Sequence, residues 1–166
     1  MTYSEKKNYQ LSFSNEFELY LMNYIKSRLD EEIFIGLIGK IIGRKTGILE
    51  FKVMHGIPFP KLSEKKNSEV IAPANWLEII QEYLTFYDKR FARMRPIGVL
   101  HSHPGSIPAL SSIDQEFGFY YSSKLGNAIM AIVGKNFTLF SYLIEGDTFY
   151  KIKHKSLKFL KRYSFK

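Results

Sequence analysis

Residues 33–43, with the sequence IFIGLIGKIIG, constrain the fold more than any other segment of the chain. The run is rich in β-branched residues and interrupted by glycines, a pattern that is typical of a buried strand. GRKTG follows with the composition of a turn, and ILEFKVM beyond it again favours a strand. The segment therefore predicts a β-hairpin.

Apolar residues at helical spacing predict one helix before this hairpin and one well after it. The first covers residues 13–29 behind the potential caps Ser14 and Asn15, with the acidic residues 30–32 at its end. The later helix covers residues 111–124, with Ser111 as its potential cap. Both segments offer an apolar face that can cover a sheet.

The segment that follows the hairpin predicts a loop and then a third helix. Residues 55–73 hold three prolines and a charged middle, which favours a loop, and residues 73–93 carry an apolar helical face. Strands are then predicted over four segments: 95–100, 127–134, 137–144 and 147–154. This order of elements predicts an α/β fold with a mixed sheet.

Length and composition predict one globular domain over residues 1–166. The chain contains no cysteine, which excludes disulfides and thiolate zinc sites and leaves histidine, aspartate and glutamate as metal ligands. The first ten residues are polar and charged, and no segment has the long apolar run of a membrane span. We therefore expect a cytoplasmic protein that does not contact the membrane.

The positive charge is concentrated in a basic C-terminal segment, residues 147–166. It carries seven Lys/Arg and one acidic residue, so it supplies +6 of the formal net charge of +8. Such a segment can bind nucleic acid, acidic protein surfaces or anionic lipid, or it can be a solvated lysine-rich face. Because Tyr150, Ile152 and His154 alternate with lysines, we favour a strand with one wet face and do not expect nucleic acid binding.

His101 and His103 are separated by one residue at the end of a predicted strand, so the strand period of two directs both imidazoles to the same face. Asp114 lies in the first turn of the next predicted helix and offers a carboxylate as a third ligand. Three protein ligands leave one coordination position open, as in catalytic zinc sites. The alternative is a pair of strand-end histidines and a metal-free helix cap formed by Ser111 and Asp114.

Several other zinc motifs fail on the residues present. HExxH is absent, the cysteines of the zinc deaminases are absent, and an HxHxDH hydrolase would need an acid and a histidine where Gly105 and Ser106 stand. The remaining pattern is His101-Ser102-His103, seven residues, and then Ser111-Ser112-Ile113-Asp114. It resembles the signature of the JAMM (MPN-type) zinc metalloproteases, in which His-Ser/Thr-His is followed by seven residues and Ser-x-x-Asp.

That resemblance implies an MPN-type fold, a curved mixed sheet flanked by helices with an architecture related to the zinc deaminases. It also implies one zinc ion per chain, held by His101, His103 and Asp114. In this family the matching serine, here Ser111, donates a hydrogen bond to the oxyanion. A glutamate from an earlier strand takes a proton from the attacking water and passes it to the leaving amine.

In the family the usual context of this glutamate is Glu, two residues, Gly, three residues, Gly, and often Lys. Aligning Gly39 and Lys40 with the end of that pattern puts Glu32 on the catalytic base. Phe34 and Ile35 then stand where the family commonly has Cys-Gly. This departure leaves Glu31 as a competitor for the role of base.

Active members of the family cleave the bond after the C-terminal tail of ubiquitin or a ubiquitin-like protein. The resemblance therefore implies ubiquitin-like conjugates as partners, bound through a sheet edge or the proline-rich loop at residues 56–66. One alternative is a peptidase that trims a small sulfur-carrier protein. Another is a non-catalytic MPN scaffold, although scaffolds typically lose the ligands that are all present here. The sequence leaves open a protein partner or a homo-oligomer.

Overall fold

The structure of the protein is a computed structural model that describes residues 3–28, 31–59, 75–86, 93–103, 110–134, 136–155 and 157–162. Its elements, in chain order, are β1 (Glu5–Phe13), α1 (Asn15–Lys26), β2 (Phe34–Gly43), β3 (Leu49–Pro58), α2 (Trp76–Phe86), β4 (Arg95–His103), α3 (Ser112–Leu125), β5 (Asn127–Gly134), β6 (Thr138–Glu145), β7 (Thr148–His154) and β8 (Lys161–Arg162). None of the three described helices is both long and apolar enough to span a bilayer.

The predicted hairpin is confirmed, because β2 and β3 pair antiparallel from Ile35 opposite Pro58 to Gly43 opposite Leu49. β3 runs further than predicted, since it continues through Pro58 into the segment expected to be a loop. The greater part of that loop, residues 60–73, lies outside the described residues. The predicted strands β4 to β7 are also present, with β4 extended through His103.

The cap Ser14 is confirmed, because its side chain accepts a hydrogen bond from the Phe17 N–H at 3.2 Å. The helix begins at Asn15, since Phe13, predicted to be helical, ends β1. Its apolar stripe of Phe17, Leu21 and Ile25 is buried. The helix ends at Lys26, so residues 31–32 do not close it, contrary to the prediction. They instead lead directly into β2.

The strands form a closed barrel. The order in the sheet is β5-β4-β2-β3-β1-β7-β6, and β5 and β6 pair antiparallel from Asn127 opposite Glu145 to Val133 opposite Leu139. The β4–β5, β1–β3 and β1–β7 ladders are parallel, and the remaining ladders of the ring are antiparallel. β8 adds to β6 outside the ring of seven strands.

This closure shows that the predicted fold class is wrong. We expected an MPN-type α/β domain, a curved mixed sheet flanked by helices as in the cytidine deaminases, whereas the structure is a seven-stranded barrel with three described helices. The strand that the sequence did not reveal is β1, which joins β3 to β7 and thereby completes the ring. Its sequence EKKNYQLSF is polar and partly exposed at its start and is continuously buried only over its last three residues.

The buried apolar residues form two clusters. One cluster takes residues from all seven barrel strands and from α1, and the other lies where α2 and α3 cover the barrel. α3 approaches the strands closely at Gly118, where a side chain would collide with Ile144 and the Phe149 ring. Glycine inside a helix costs about 1 kcal/mol relative to alanine. The close approach of α3 to β6 and β7 explains the presence of a glycine here.

Candidate metal centre

The two histidines stand at the carboxyl end of β4, in the interior of the sheet. β4 pairs with β2 on one side, where Phe34 lies opposite His101, and with β5 on the other, where His101 aligns with Ile132. His101 is buried and His103 is half-buried. The two Nε2 atoms lie 2.9 Å apart, as expected for residues two apart on one face of a strand.

Asp114 is held in place by the start of α3. The Ser111 side chain accepts a hydrogen bond from the Asp114 N–H at 3.1 Å, and the Ser111 N–H donates to Asp114 Oδ2 at 2.6 Å. This reciprocal pair is a capping box, which confirms the predicted cap of α3. The cap fixes the carboxylate through the backbone, so the side chain needs no other support to point toward β4.

The structure brings the three predicted ligands together. Asp114 Oδ1 lies 2.9 Å from His101 Nε2, and Asp114 Oδ2 lies 3.4 Å from His103 Nε2. In the part of the chain that the structure describes, these three residues form the one group of His, Asp or Glu whose ligand atoms could share a cation. Tetrahedral zinc with bonds of about 2.0–2.1 Å separates its ligand atoms by about 3.3 Å. The observed separations are of that size, and the donor set fits zinc.

The Asp114 carboxyl is strongly biased toward its charged form. Burial opposes ionisation, but hydrogen bonds from His101, His103 and the Ser111 N–H outweigh it and hold the pKa of Asp114 far below its usual range. The carboxylate is therefore an anionic ligand at any pH at which the protein would act. A buried anion between two imidazoles provides the charge that a cation needs.

Aromatic rings wall the site on the side of the barrel. The Phe34 ring stacks on His101 with centroids 6.3 Å apart and an interplanar angle of 12°, and Phe117 of α3 lies 6.1 Å from Phe34. Burial, together with the neighbouring Tyr3 and the charge of Asp114, raises the pKa of Tyr142 to about 12. This phenol therefore remains protonated at neutral pH.

His101 Nδ1 is buried, and within the described residues it has no hydrogen-bond partner. Zinc-binding histidines usually donate their second ring N–H to a carbonyl, a carboxylate or water. Residues 104–109, which follow His103 in the chain, lie outside the described residues.

Ser102, between the two histidines, was assigned no role by the sequence. Its N–H donates to the Ile33 carbonyl at 3.0 Å, and the Ile33 N–H donates to the Ser102 hydroxyl, also at 3.0 Å. The strand ladder between β2 and β4 ends at the pair of Phe34 and His101. These two bonds extend the contact between the two chain segments by one residue on each side. The only signal in the sequence was the position of Ser102 within the HxH pattern.

Glu32, the predicted base, and its competitor Glu31 precede that contact in the chain. Both lie just beyond the strand ladder, whose last pair is Phe34 opposite His101. Neither carboxylate belongs to the group formed by His101, His103 and Asp114. The structure thus places both candidates for the base in the segment that leads into β2, beside the end of β4.

The remaining two histidines have partners elsewhere. His55 of β3 stacks on Tyr83 of α2 with centroids 5.8 Å apart, and burial lowers the pKa of His55. His154 of β7 lies 2.9 Å from the hydroxyl of Ser141. Neither belongs to the cluster of His101, His103 and Asp114.

Comparisons with known proteins bear on the fold alone. The sequence matches no protein-family model and no curated protein. Among solved structures, the chain is similar to the solution structure of a structural genomics target from Desulfitobacterium hafniense, with a TM-score of 0.62 and 16% sequence identity. The likeness covers 87% of this chain and 91% of the other. It shows a shared fold.

Proposed function

We propose that the protein is a zinc-dependent peptidase or isopeptidase that cleaves the bond after the C-terminal tail of ubiquitin or a ubiquitin-like protein. The proposal rests on the site, since the fold is not the MPN type that the resemblance implied. The observation that carries it is the convergence of His101, His103 and Asp114 from two separate elements, with ligand atoms that all lie within 4.8 Å of one another.

These three residues would hold the zinc, and bound zinc would supply a Lewis acid that polarises a carbonyl and acidifies water. Glu32, in the segment that leads into β2 beside the end of β4, would accept the proton of the attacking water and return it to the leaving amine. The Ser111 oxygen accepts the Asp114 N–H in the cap, so its own proton can still be donated to an oxyanion. The helix cap and the oxyanion contact are therefore compatible.

The substrate class comes from the resemblance of the motif to the JAMM signature. The alternative substrate is a small sulfur-carrier protein, whose tail presents the same extended chain and terminal glycines. Such a tail has few open sheet edges to bind along. The ring of seven strands is closed, and β8 is the one described strand that ends the sheet. Residues 56–66 remain our candidate for the binding segment, although 56–58 belong to β3 and 60–66 lie outside the described residues.

A nucleic-acid-binding module is the competing class, and the basic segment at residues 147–166 would be its surface. In the structure β7 is a strand of the barrel, with Ile152 buried and Lys153 exposed. Lys153 lies 3.4 Å from Glu5, and Lys155 lies 3.6 Å from Glu50. The lysines thus contact acidic residues of this chain, which favours a solvated strand face.

The function is tested with ubiquitin and sulfur-carrier proteins extended beyond their terminal glycines. We expect the zinc-loaded protein to trim at least one of them, and a chelator or the Asp114→Asn variant to abolish trimming. Glu50→Gln, a change at another buried acid, is the matched control and should retain activity. If the zinc-loaded protein cuts neither fusion, the peptidase proposal fails and a non-catalytic role of the zinc site takes its place.

A further inference from the structure

The side chain of Ser102 bonds to the backbone on both sides of Glu32. The hydroxyl accepts the Ile33 N–H at 3.0 Å and lies 3.4 Å from the Glu31 carbonyl, to which it donates. A hydroxyl has one proton to donate and two lone pairs to accept with, so these two bonds match its capacity. Ser102 is buried, and water therefore does not compete for these bonds.

The Ile33 bond replaces a bond of the strand ladder. In a regular antiparallel pair, the Ile33 N–H would donate to the backbone carbonyl of Ser102, whereas here it donates to the side chain. The substitution lets the chain leave the ladder at residues 31–33 and still keep its polar groups bonded. A serine at this position thus shapes the segment that carries Glu32.

We propose that Ser102 is the positioning residue for the catalytic base Glu32, an inference that rests on the proposed function. It anchors the peptide group before Glu32 and the peptide group after it, and the direction of a side chain is set by its own backbone. Ser102 touches neither substrate nor metal in this account. It acts by holding the backbone on both sides of Glu32 beside the end of β4.

Proton transfer depends steeply on such placement, since a displacement of about 1 Å can cost about 10²-fold in rate. Ser102→Ala removes the hydroxyl, and Ser102→Thr keeps it on a residue that strands accept well. We expect Ser102→Ala to bind zinc as the wild type does and to lose roughly 10- to 100-fold in kcat with KM nearly unchanged. Ser102→Thr should restore most of the loss.

Two further measurements separate positioning from a general structural role. In a Glu32→Gln background the Ser102→Ala change should cost no additional activity, because Ser102 acts only through Glu32. Amide exchange at Ile33 should accelerate in Ser102→Ala and stay slow in Ser102→Thr. The proposal is overturned if Ser102→Ala loses zinc, keeps full kcat, or adds its full factor to Glu32→Gln.

Failure of the function and failure of the positioning role give different results. If the wild type cleaves no substrate, the proposed function fails, and amide exchange still decides whether Ser102 holds the Glu32 segment. Unchanged exchange at Ile33 in Ser102→Ala would refute the anchor whatever the activity. Faster exchange that Ser102→Thr reverses would support it.

Discussion

Asp114 and Glu50 are both buried carboxylates, and they differ in what surrounds them. Glu50 accepts hydrogen bonds from the Ser12 hydroxyl at 2.5 Å and from Arg44 Nε at 2.6 Å, and Lys155 lies 3.6 Å away. Asp114 instead meets two imidazole nitrogens and a backbone N–H. Glu50 is neutralised by permanent cations of its own chain, whereas Asp114 and its imidazoles together form a set of ligands.

Glu18 gives a third environment. It is 1% exposed, and its Oε1 accepts the backbone N–H groups of Lys158, Phe159 and Leu160 at 2.7 to 2.9 Å. The carboxylate therefore ties α1 to the segment before β8. The comparison teaches that a buried acid is structural where the protein itself supplies enough donors or cations, and a ligand candidate where it faces imidazoles that can bind the same ion.

The largest expected effect is a loss of turnover at Glu32 without a loss of zinc binding. Glu32→Gln keeps the size of the side chain and removes the proton acceptor, so turnover should fall roughly 10²- to 10⁴-fold while zinc content stays at the wild-type level. Steady-state kinetics on a cleavable fusion and metal analysis of the same sample measure both quantities.

Glu31→Gln is the matched control one residue earlier, and it should bind zinc and turn over at nearly the wild-type rate. If Glu31→Gln is the inactive variant and Glu32→Gln the active one, the alignment of residues 31–40 with the family pattern is wrong by one residue. If both variants remain active, the base lies elsewhere.

At Glu18 we expect the opposite result, a loss of stability without a loss of zinc binding. Glu18→Ala leaves three backbone N–H groups without their acceptor, and hydrogen bonds to charged groups contribute about 1.5–3 kcal/mol each, of which water restores a part. We expect the free energy of unfolding to fall by about 3 kcal/mol, with zinc content per folded chain unchanged. Denaturant unfolding measures the first quantity, and a loss below about 0.5 kcal/mol would show that this carboxylate is not structural.

The smallest effect concerns pH. Burial alone would raise the pKa of the Glu50 carboxyl, but hydrogen bonds from Ser12 and Arg44 and the nearby charge of Lys155 outweigh it, so the pKa is lowered from 4.5. A depressed pKa in the folded state contributes stability that is present above pH 4.5 and is lost as pH falls through the lower folded value. We expect the stability difference between wild type and Glu50→Gln to shrink as pH falls below 4.5. A difference that stays constant from neutral pH to pH 3 would contradict this account.

The site could be predicted from the sequence because its geometry is local. The period of two in a strand aligns His101 with His103, and the Ser-x-x-Asp spacing of a capping box places Asp114 in the first turn of α3. The hairpin of β2 and β3 is local in the same sense.

The barrel could not be predicted because its closure depends on distant pairings. β1 is polar over its first residues and pairs in parallel with β3 and β7, from which it is far in sequence. No local pattern distinguishes such a strand from an exposed terminus. The bonds of Ser102 to the segment around Glu32 likewise join residues about seventy positions apart. They depend on how the segment before β2 lies against β4, which no local sequence pattern predicts.

Zinc content tests the central claim most directly. Native mass spectrometry of protein purified with zinc available should show one zinc ion per chain, because His101, His103 and Asp114 would supply three of the four ligands of such an ion. His103→Ala should fold, as judged by circular dichroism, and lose that ion, while Glu50→Gln, altered at the buried acid that binds no metal in this account, should retain it. A wild-type protein without zinc, or a His103→Ala variant that keeps it in full, would contradict the claim that these residues form a metal centre.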